Sequence, residues 1–402
     1  MKTVIFLGDG MADYPVPSLQ NRTPLAAADK PAMNRIAREG RNGLFRTIEP
    51  DMPTGSAVAN LSVLGYDPLT AFQGRGVLEA ASLGVSLSDT DLAMRVNLIC
   101  IADGKIKSHS AGHISDEEAG LLIRDLQELF RDQPVSLTQG LSYRHLLVMP
   151  GGNVRIECAP PHDHIGEPAA NLMVRAADPG AAETAGLLNR LIRESQAFLS
   201  DHPVNRNRTS KGKDPANSLW PWSPGRKPAM QTFQQRFGIR GAAISAVDLI
   251  KGLAVYAGFD VIPVQGATGL YNTNYEGKAD ACLSALENHD LVYVHVEAAD
   301  EAGHEKDAAL KVRCIEDMDK RLIQRVWDGL GGKLDHTVIA LLPDHATPVS
   351  SGAHVRDPVP VAIRDPRFTA DGVDGYDEEQ AQNGSLGLLS GAQFIKTVLQ
   401  SR

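Results

Sequence analysis

The sequence predicts an α/β protein: a parallel-sheet core with helices on both faces, and a smaller α+β domain inserted into it. Three observations point there. Short β-branched apolar runs alternate with helical patterns at both ends of the chain. Those runs are apolar at most positions rather than at every second one, as strands covered on both faces are. The middle of the chain breaks this alternation.

Thr3–Leu7 (TVIFL) reads as the first strand and Ala32–Glu39 as a helix. Ala57–Leu64 follows as an apolar helical pattern. In the middle, Ala93–Ile101 and Tyr143–Met149 read as strands, Asp116–Phe130 and Ala181–Ser200 as helices. Val204–Pro228 is rich in Arg, Lys, Asn and Pro with little periodicity, and reads as a loop or linker. Beyond it, Val261–Val264, Leu291–Val296, Thr337–Leu342 and Val359–Ile363 read as buried strands. Ser245–Ala257, Lys306–Leu330 and Ser390–Leu399 read as helices. The core is thus expected from residues 1–88 and 240–402, the insert from 89–239. The joints are expected near Asp89–Asp91 and Gly238–Gly241, where glycine absorbs backbone rotation at low steric cost.

A chain of 402 residues suits two domains. With 43% hydrophobic and 22% charged residues, it is not disordered or fibrous as a whole. Forty basic against forty-nine acidic residues give −9, which argues against nucleic acid or an anionic membrane as partner. A small anionic substrate stays open, because a local cluster can be basic in an acidic chain. Only five residues, Thr3–Leu7, lie between Lys2 and Gly8, too few for a signal-peptide core. No stretch nears the roughly 18 apolar residues of a membrane helix. Cys100, Cys158, Cys282 and Cys314 form no C-x-x-C pair, so reduced thiols and a cytoplasmic location are expected.

Ligands of open α/β sheets sit beyond the carboxyl ends of the strands. Gly8-Asp9-Gly10 follows the first strand, and Glu297-Ala-Ala-Asp300-Glu-Ala-Gly-His304 follows Leu291–Val296. Asp344-His345 and then His354 follow Thr337–Leu342. Asp300 and His304, four apart, share one helix face. Mixed Asp/His donors suit Mn²⁺ or Zn²⁺, and six of them exceed what one tetrahedral ion needs, so two ions are the natural reading. Any one such aspartate alone would read as a helix cap. Ser56, in Thr54-Gly55-Ser56 before an apolar helix, is the candidate nucleophile, placed where a helix N-terminus favours an anion. Alone, it too would read as a capping serine.

These residues resemble the archaeal-type cofactor-independent phosphoglycerate mutases of the alkaline phosphatase superfamily. The resemblance rests on G-D-G-M-A-D around Asp9, P-T-G-S at Ser56, D-E-A-G-H at Asp300 and His304, P-D-H-A-T-P at Asp344 and His345, and His354. It extends through Asn60–Asp67, Gly74-Arg75-Gly76 and Ser110–Ser115. It implies an alkaline-phosphatase-like core and two divalent ions, Mn²⁺ first, with Zn²⁺ or Mg²⁺ as alternatives. Asp300, His304 and His354 would hold one ion; Asp9, Asp344, His345 and the Ser56 oxygen the other. Ser56 would carry a phosphoryl group between the 3- and 2-positions of glycerate, and Lys251 would contact that group. The inserted domain would close over the site and keep water from the phosphoserine. Within it, Arg95, His109, His113 and Arg144 are the candidates for binding substrate, arginine being suited to a carboxylate.

One segment departs from the family pattern. Ala216-Asn217 is followed by Ser-Leu-Trp220-Pro-Trp222, where the mutases tend to carry Leu-Arg-Gly. This form is similar to a bacterial branch proposed as homoserine kinases. The alternatives are therefore a homoserine kinase-like phosphotransferase, a metal-dependent phosphomonoesterase, or a non-catalytic phosphometabolite-binding protein. A basic run, with Arg206, Arg208, Lys211, Lys213, Arg226 and Lys227, reads as a solvated loop or an anion-attracting lid.

Overall fold

β-Branched residues fill the central strands, and almost none of their surface reaches solvent: Val4 to Leu7 are at most 1% exposed. The structure, a computed structural model, describes residues 1–399. The chain divides into two units, Met1–Phe72 with the segment from Ala229 onward, and Gln73–Pro228.

The sheet of the first unit contains β1 (Lys2–Gly8), β2 (Arg41–Arg46), β3 (Gly241–Ile244), β4 (Asp260–Val261), β5 (Leu291–Val296), β6 (Thr337–Leu342), β7 (Val359–Arg364) and β8 (Gly387–Ser390). Their order is β4-β3-β5-β1-β6-β7-β2-β8. The run from β4 to β6 is parallel. Gly8 pairs with Val296 and Leu7 with Leu342, so β1, β5 and β6 end level. Whatever follows them emerges along one edge. Helices Pro31–Arg38, Tyr275–Asn288 and Ala308–Asp317 bury apolar faces in the core of this unit.

The sheet is not wholly parallel, as the sequence suggested. β7 runs antiparallel to β6 and β2. Residues 343–358, which join β6 to β7, contain no helix; without a crossover helix, the next strand returns antiparallel. The strand expected at Val261–Val264 is only Asp260–Val261. The single helix expected over Lys306–Leu330 is Ala308–Asp317, a π-turn Met318–Ile323, and Gln324–Leu330. That turn carries Asp319, which accepts the Ala32 and Met33 N–H groups (3.2 and 2.7 Å) at the start of Pro31–Arg38.

The second unit is antiparallel. Its long strand Leu92–Ala102 pairs with Lys105–Ser108, Arg144–Met149 and Ser218–Gly225. Helices Asp116–Leu129 and Ala182–Leu199 pack on it around a separate core. Residues 204–228 are not a linker. They contain most of helix Pro203–Ser210 and the strand Ser218–Gly225. Pro221 and Pro224 made this strand look like a breaker, yet it pairs on one side only, where proline is tolerated. Arg208 is no lid residue: it is buried and bonded to Glu118, Ala111 O and Asp214 O. The units change over at Phe72/Gln73 and Pro228/Ala229, ahead of the expected joints. Helix Arg75–Ser82 packs on the strands of the second unit. Among the described residues no helix is long and apolar enough to cross a membrane.

Candidate functional site

Asp9 follows β1, Asp300 and His304 lie on helix Ala298–His304 after β5, and Asp344 and His345 follow β6. The level strand ends bring them together, and the loop after β6 returns His354 to them. Gly10 (φ 61°) lets the β1 loop lie against the helix: a Cβ there would sit 2.5 Å from Asp300 Oδ1 and 2.7 Å from Asp300 Cα. Ser56 opens helix Ser56–Val63 directly after Gly55.

Two ligand-like groups result. Asp300, His304 and His354 form one, with His304 Nε2 3.1 Å from Asp300 Oδ2 and His354 Nε2 3.4 Å from Oδ1. His304 Nδ1 lies 2.8 Å from Gly352 O, which orients the ring. Asp9, Asp300 and His345 form the other, wholly buried. His345 Nε2 lies 3.1 Å from Ser56 Oγ and 3.3 Å from Asp9 Oδ1. Asp300 belongs to both groups and Asp344 to neither. Asp344 instead accepts the N–H groups of Gly10 (3.2 Å) and His345 (2.9 Å) and Asn60 Nδ2 (2.8 Å).

Asp9 Oδ1 is buried without a hydrogen-bond partner. A buried carboxylate oxygen left this way is costly. Together with the converging oxygens and imidazole nitrogens, it fits a divalent cation. The charges agree. Burial, and then the negative charges of Asp344, Asp300 and Glu297, push the Asp9 carboxyl well above its usual range. Burial acts the same way on Asp300, but hydrogen bonds from His304 and His354 outweigh it and hold its carboxyl low. The Asp300 contact raises His304 to about 9.

Several partners escaped the sequence reading. Asn60 Nδ2 bonds both Ser56 O (2.8 Å) and Asp344, and its Oδ1 accepts the Tyr293 hydroxyl. His295 Nε2 lies 3.0 Å from Asp9 Oδ2, and its Nδ1 3.2 Å from Ser245 Oγ. Burial, and then the nearby Lys278 charge, pushes His295 down to about 3. Tyr293 and His295 were legible in principle: both are polar residues two apart in an otherwise apolar strand, hence on one face. Glu297 is a further carboxyl beside the aspartates, raised to about 8 by burial and then by Asp300. Lys251 lies on helix Asp248–Tyr256 with its Nζ 3.2 Å from Asp248 Oδ1, not bonded to Ser56.

The second unit gathers its own cluster. In register, Arg95 faces Trp222 and Asn97 faces Arg144. Arg95 lies 5.2 Å from the Trp222 ring and pairs with Glu79 at 3.0 Å. Arg144 lies over Tyr143, and His109 and His113 meet the same ring edge-on. His162, unnoticed in the sequence, contacts His109 and Trp222. Burial, then the neighbouring His162 and His113, lowers the His109 pKa. All four expected substrate-binding residues thus share one cluster of guanidinium, imidazole and aromatic groups.

The family model for 2,3-bisphosphoglycerate-independent phosphoglycerate mutase matches residues 37–205. A protein of that name from Methanosarcina acetivorans is 48% identical over 399 residues, 98% of each chain. One from Geobacter sulfurreducens, named as a probable enzyme of this kind, is 43% identical over 99% of this chain and 100% of its own. Among solved structures, the cofactor-independent phosphoglycerate mutase of Thermoplasma acidophilum is 31% identical with a TM-score of 0.72, covering 100% of this chain and 99% of its own. The PH0037 protein of Pyrococcus horikoshii is 30% identical with a TM-score of 0.85, covering 100% and 98%.

Proposed function

This chain belongs to the 2,3-bisphosphoglycerate-independent phosphoglycerate mutases, and on that premise we propose that Ser56 relays the phosphoryl group between the 3- and 2-positions of glycerate beside two divalent ions. The observation that carries this is the convergence of Ser56 Oγ and the orphaned Asp9 Oδ1 on His345 Nε2, at 3.1 and 3.3 Å. Asp300, His304 and His354 would hold one ion. Asp9, His345, Asp344 and the Ser56 oxygen would hold the other, with Asp300 close to both. Mn²⁺ is the expected metal, Zn²⁺ and Mg²⁺ the alternatives. Such ions supply charge neutralisation for the transferring group and the serine oxygen.

The protein's own residues do the positioning. Ser56 sits in the first turn of its helix, where free N–H groups and the helix dipole favour a phosphate. Asn60 ties that turn to Asp344. Ser56 Oγ attacks phosphorus as the bond to the 3-oxygen of glycerate breaks, its proton ending on that oxygen; the 2-oxygen then attacks as the bond to Ser56 breaks, its proton returning to the serine. Neither water nor free phosphate enters the balance. Lys251 is assigned to the phosphoryl oxygens. Arg95, His109, His113 and Arg144 are assigned to the carboxylate and hydroxyl of glycerate, a role the fork geometry of arginine suits.

The test supplies Mn²⁺-loaded protein with 3-phosphoglycerate and no bisphosphoglycerate. We expect 2-phosphoglycerate, little free phosphate, and label from ³²P-substrate on the Ser56 peptide. Ser56→Ala should lower turnover by several orders of magnitude. Near wild-type turnover in that variant would overturn the phosphoserine relay. Inert 3-phosphoglycerate alongside ATP-dependent phosphorylation of homoserine would overturn the substrate.

A further inference from the structure

Thr347 lies outside both ligand groups but touches each. Its side chain is wholly buried. Its hydroxyl is bonded to Asp300 Oδ1 and lies 3.2 Å from His345 Nδ1. A hydroxyl has one proton and two lone pairs. A carboxylate only accepts, so the Thr347 proton points to Asp300. The hydroxyl's lone pairs can then only accept from His345, which assigns the imidazole proton to Nδ1. His345 Nε2 is then left with a lone pair, facing Ser56 Oγ and Asp9 Oδ1. With Asp9 ionised, this arrangement explains why Asp9 Oδ1, 3.3 Å from that nitrogen, has no hydrogen bond: both atoms are then acceptors.

The backbone of Thr347 is pinned as well. Its carbonyl accepts Lys311 Nζ at 2.8 Å, and its N–H reaches Ala12 O at 3.3 Å. It packs so tightly on the helix carrying Asp300 that a Cβ at Gly303 would lie 2.5 Å from Thr347 O. The hydroxyl cannot move away without moving the loop.

We propose that Thr347 is a positioning residue that joins the two ligand groups, orienting Asp300 in one and setting the ring tautomer of His345 in the other. The inference rests on the two-ion reading above. It requires that removing one hydroxyl weaken both ions together, although Thr347 binds neither. Loss of such a supporting bond typically costs ~10–100-fold in metal affinity.

The experiment compares Thr347→Val, which keeps the shape but not the hydroxyl, with Thr347→Ser, which keeps the hydroxyl. Mn²⁺ titration by calorimetry reads affinity and stoichiometry. Histidine ¹⁵N spectra of metal-free protein read the His345 tautomer, assigned with a His345→Gln variant. Thermal melts of both variants check folding. We expect wild type and Thr347→Ser to bind two ions with His345 protonated on Nδ1. We expect Thr347→Val to lose ~10–100-fold in affinity at both sites and to populate the Nε2-protonated form. Wild-type affinity and an unchanged tautomer in Thr347→Val would overturn the proposal. So would Thr347→Ser as weak as Thr347→Val, which would make the methyl group the cause. If wild type binds fewer than two ions, the two-ion reading fails by itself; an unchanged tautomer in Thr347→Val then overturns the role of Thr347 separately.

Discussion

Lys311 offers the sharpest test of how the loops are held. Its three ammonium protons are all used, on Asp13 Oδ2 (2.7 Å), Thr347 O (2.8 Å) and Ala12 O (3.1 Å). Both charged side chains are at most 1% exposed. Asp13 also accepts Val349 N (3.1 Å) and Tyr14 N (2.8 Å). One ion pair thus staples the loop after β1 to the loop after β6. Lys311→Met leaves a buried carboxylate without its counter-charge and the Thr347 carbonyl without a donor, while Ala12 O keeps only the Thr347 N–H. Breaking a buried pair on one side costs about 3–5 kcal/mol. Asp13→Asn leaves the ammonium uncompensated and should cost a similar amount. The double variant removes both charges and should cost less than the sum, by at least about 2 kcal/mol. A two-unit chain need not unfold in one step, so the assay is native-state hydrogen exchange at the Thr347 and Val349 amides, which sit in this network. Additive losses, or single losses under about 1 kcal/mol, would refute the reasoning.

Gly10→Ala should weaken metal binding far more than it lowers the melting temperature, because its Cβ would drive into Asp300 at 2.5 Å and its φ of 61° suits glycine; unchanged Mn²⁺ affinity by calorimetry would count against the close approach. Glu378 is raised by burial to about 7, from 4.5. The folded protein therefore keeps that proton longer than the unfolded chain does, and this group's contribution falls by at most about 3 kcal/mol as pH rises from about 4.5 to about 7. Glu378→Gln should flatten that part of the stability–pH curve, and unfolding midpoints showing the same slope would exclude it. Arg95→Ala or Arg144→Ala should raise the ratio of free phosphate to 2-phosphoglycerate if either anchors the carboxylate; an unaltered ratio with lowered turnover would assign them to packing instead.

The parts of this site that the sequence revealed are those that follow from strand ends. Once β1, β5 and β6 are recognised as buried parallel strands, their carboxyl ends must share an edge, and Asp9, Asp300 and Asp344 come with them. What stayed hidden was carried by contacts without local pattern. Asn60 and Asp344 are 284 residues apart, Tyr293 and Asn60 233, and no periodicity links them. The strand Ser218–Gly225 was hidden for a different reason. Its prolines mimic a linker, and only its place at an open edge makes them harmless. Lys306–Leu330 failed because a π-turn leaves the apolar period of a helix almost intact while shifting which side chains face inward.

The division of labour among the carboxylates lay deeper still, since sequence names the loop and not the oxygen. Asp344 was expected as an ion ligand on equal terms with Asp9, yet it accepts three N–H donors, from Gly10, His345 and Asn60. A carboxylate offers about four acceptor positions, so about one is left for an ion. Asp9 is the reverse case: Oδ2 is held by His295 and Oδ1 has no hydrogen bond. Loops joined through Asp344 gain rigidity, while Asp9 keeps the oxygen that a cation would satisfy. The two residues therefore predict different failures. Asp9→Asn should chiefly lower ion affinity, and Asp344→Asn should also release the Ser56 helix, because Asn60 would lose its carboxylate partner. Hydrogen exchange at the amides of Ser56–Val63 separates the two, and equal protection in both variants would mean that Asp344 is no more an anchor than Asp9.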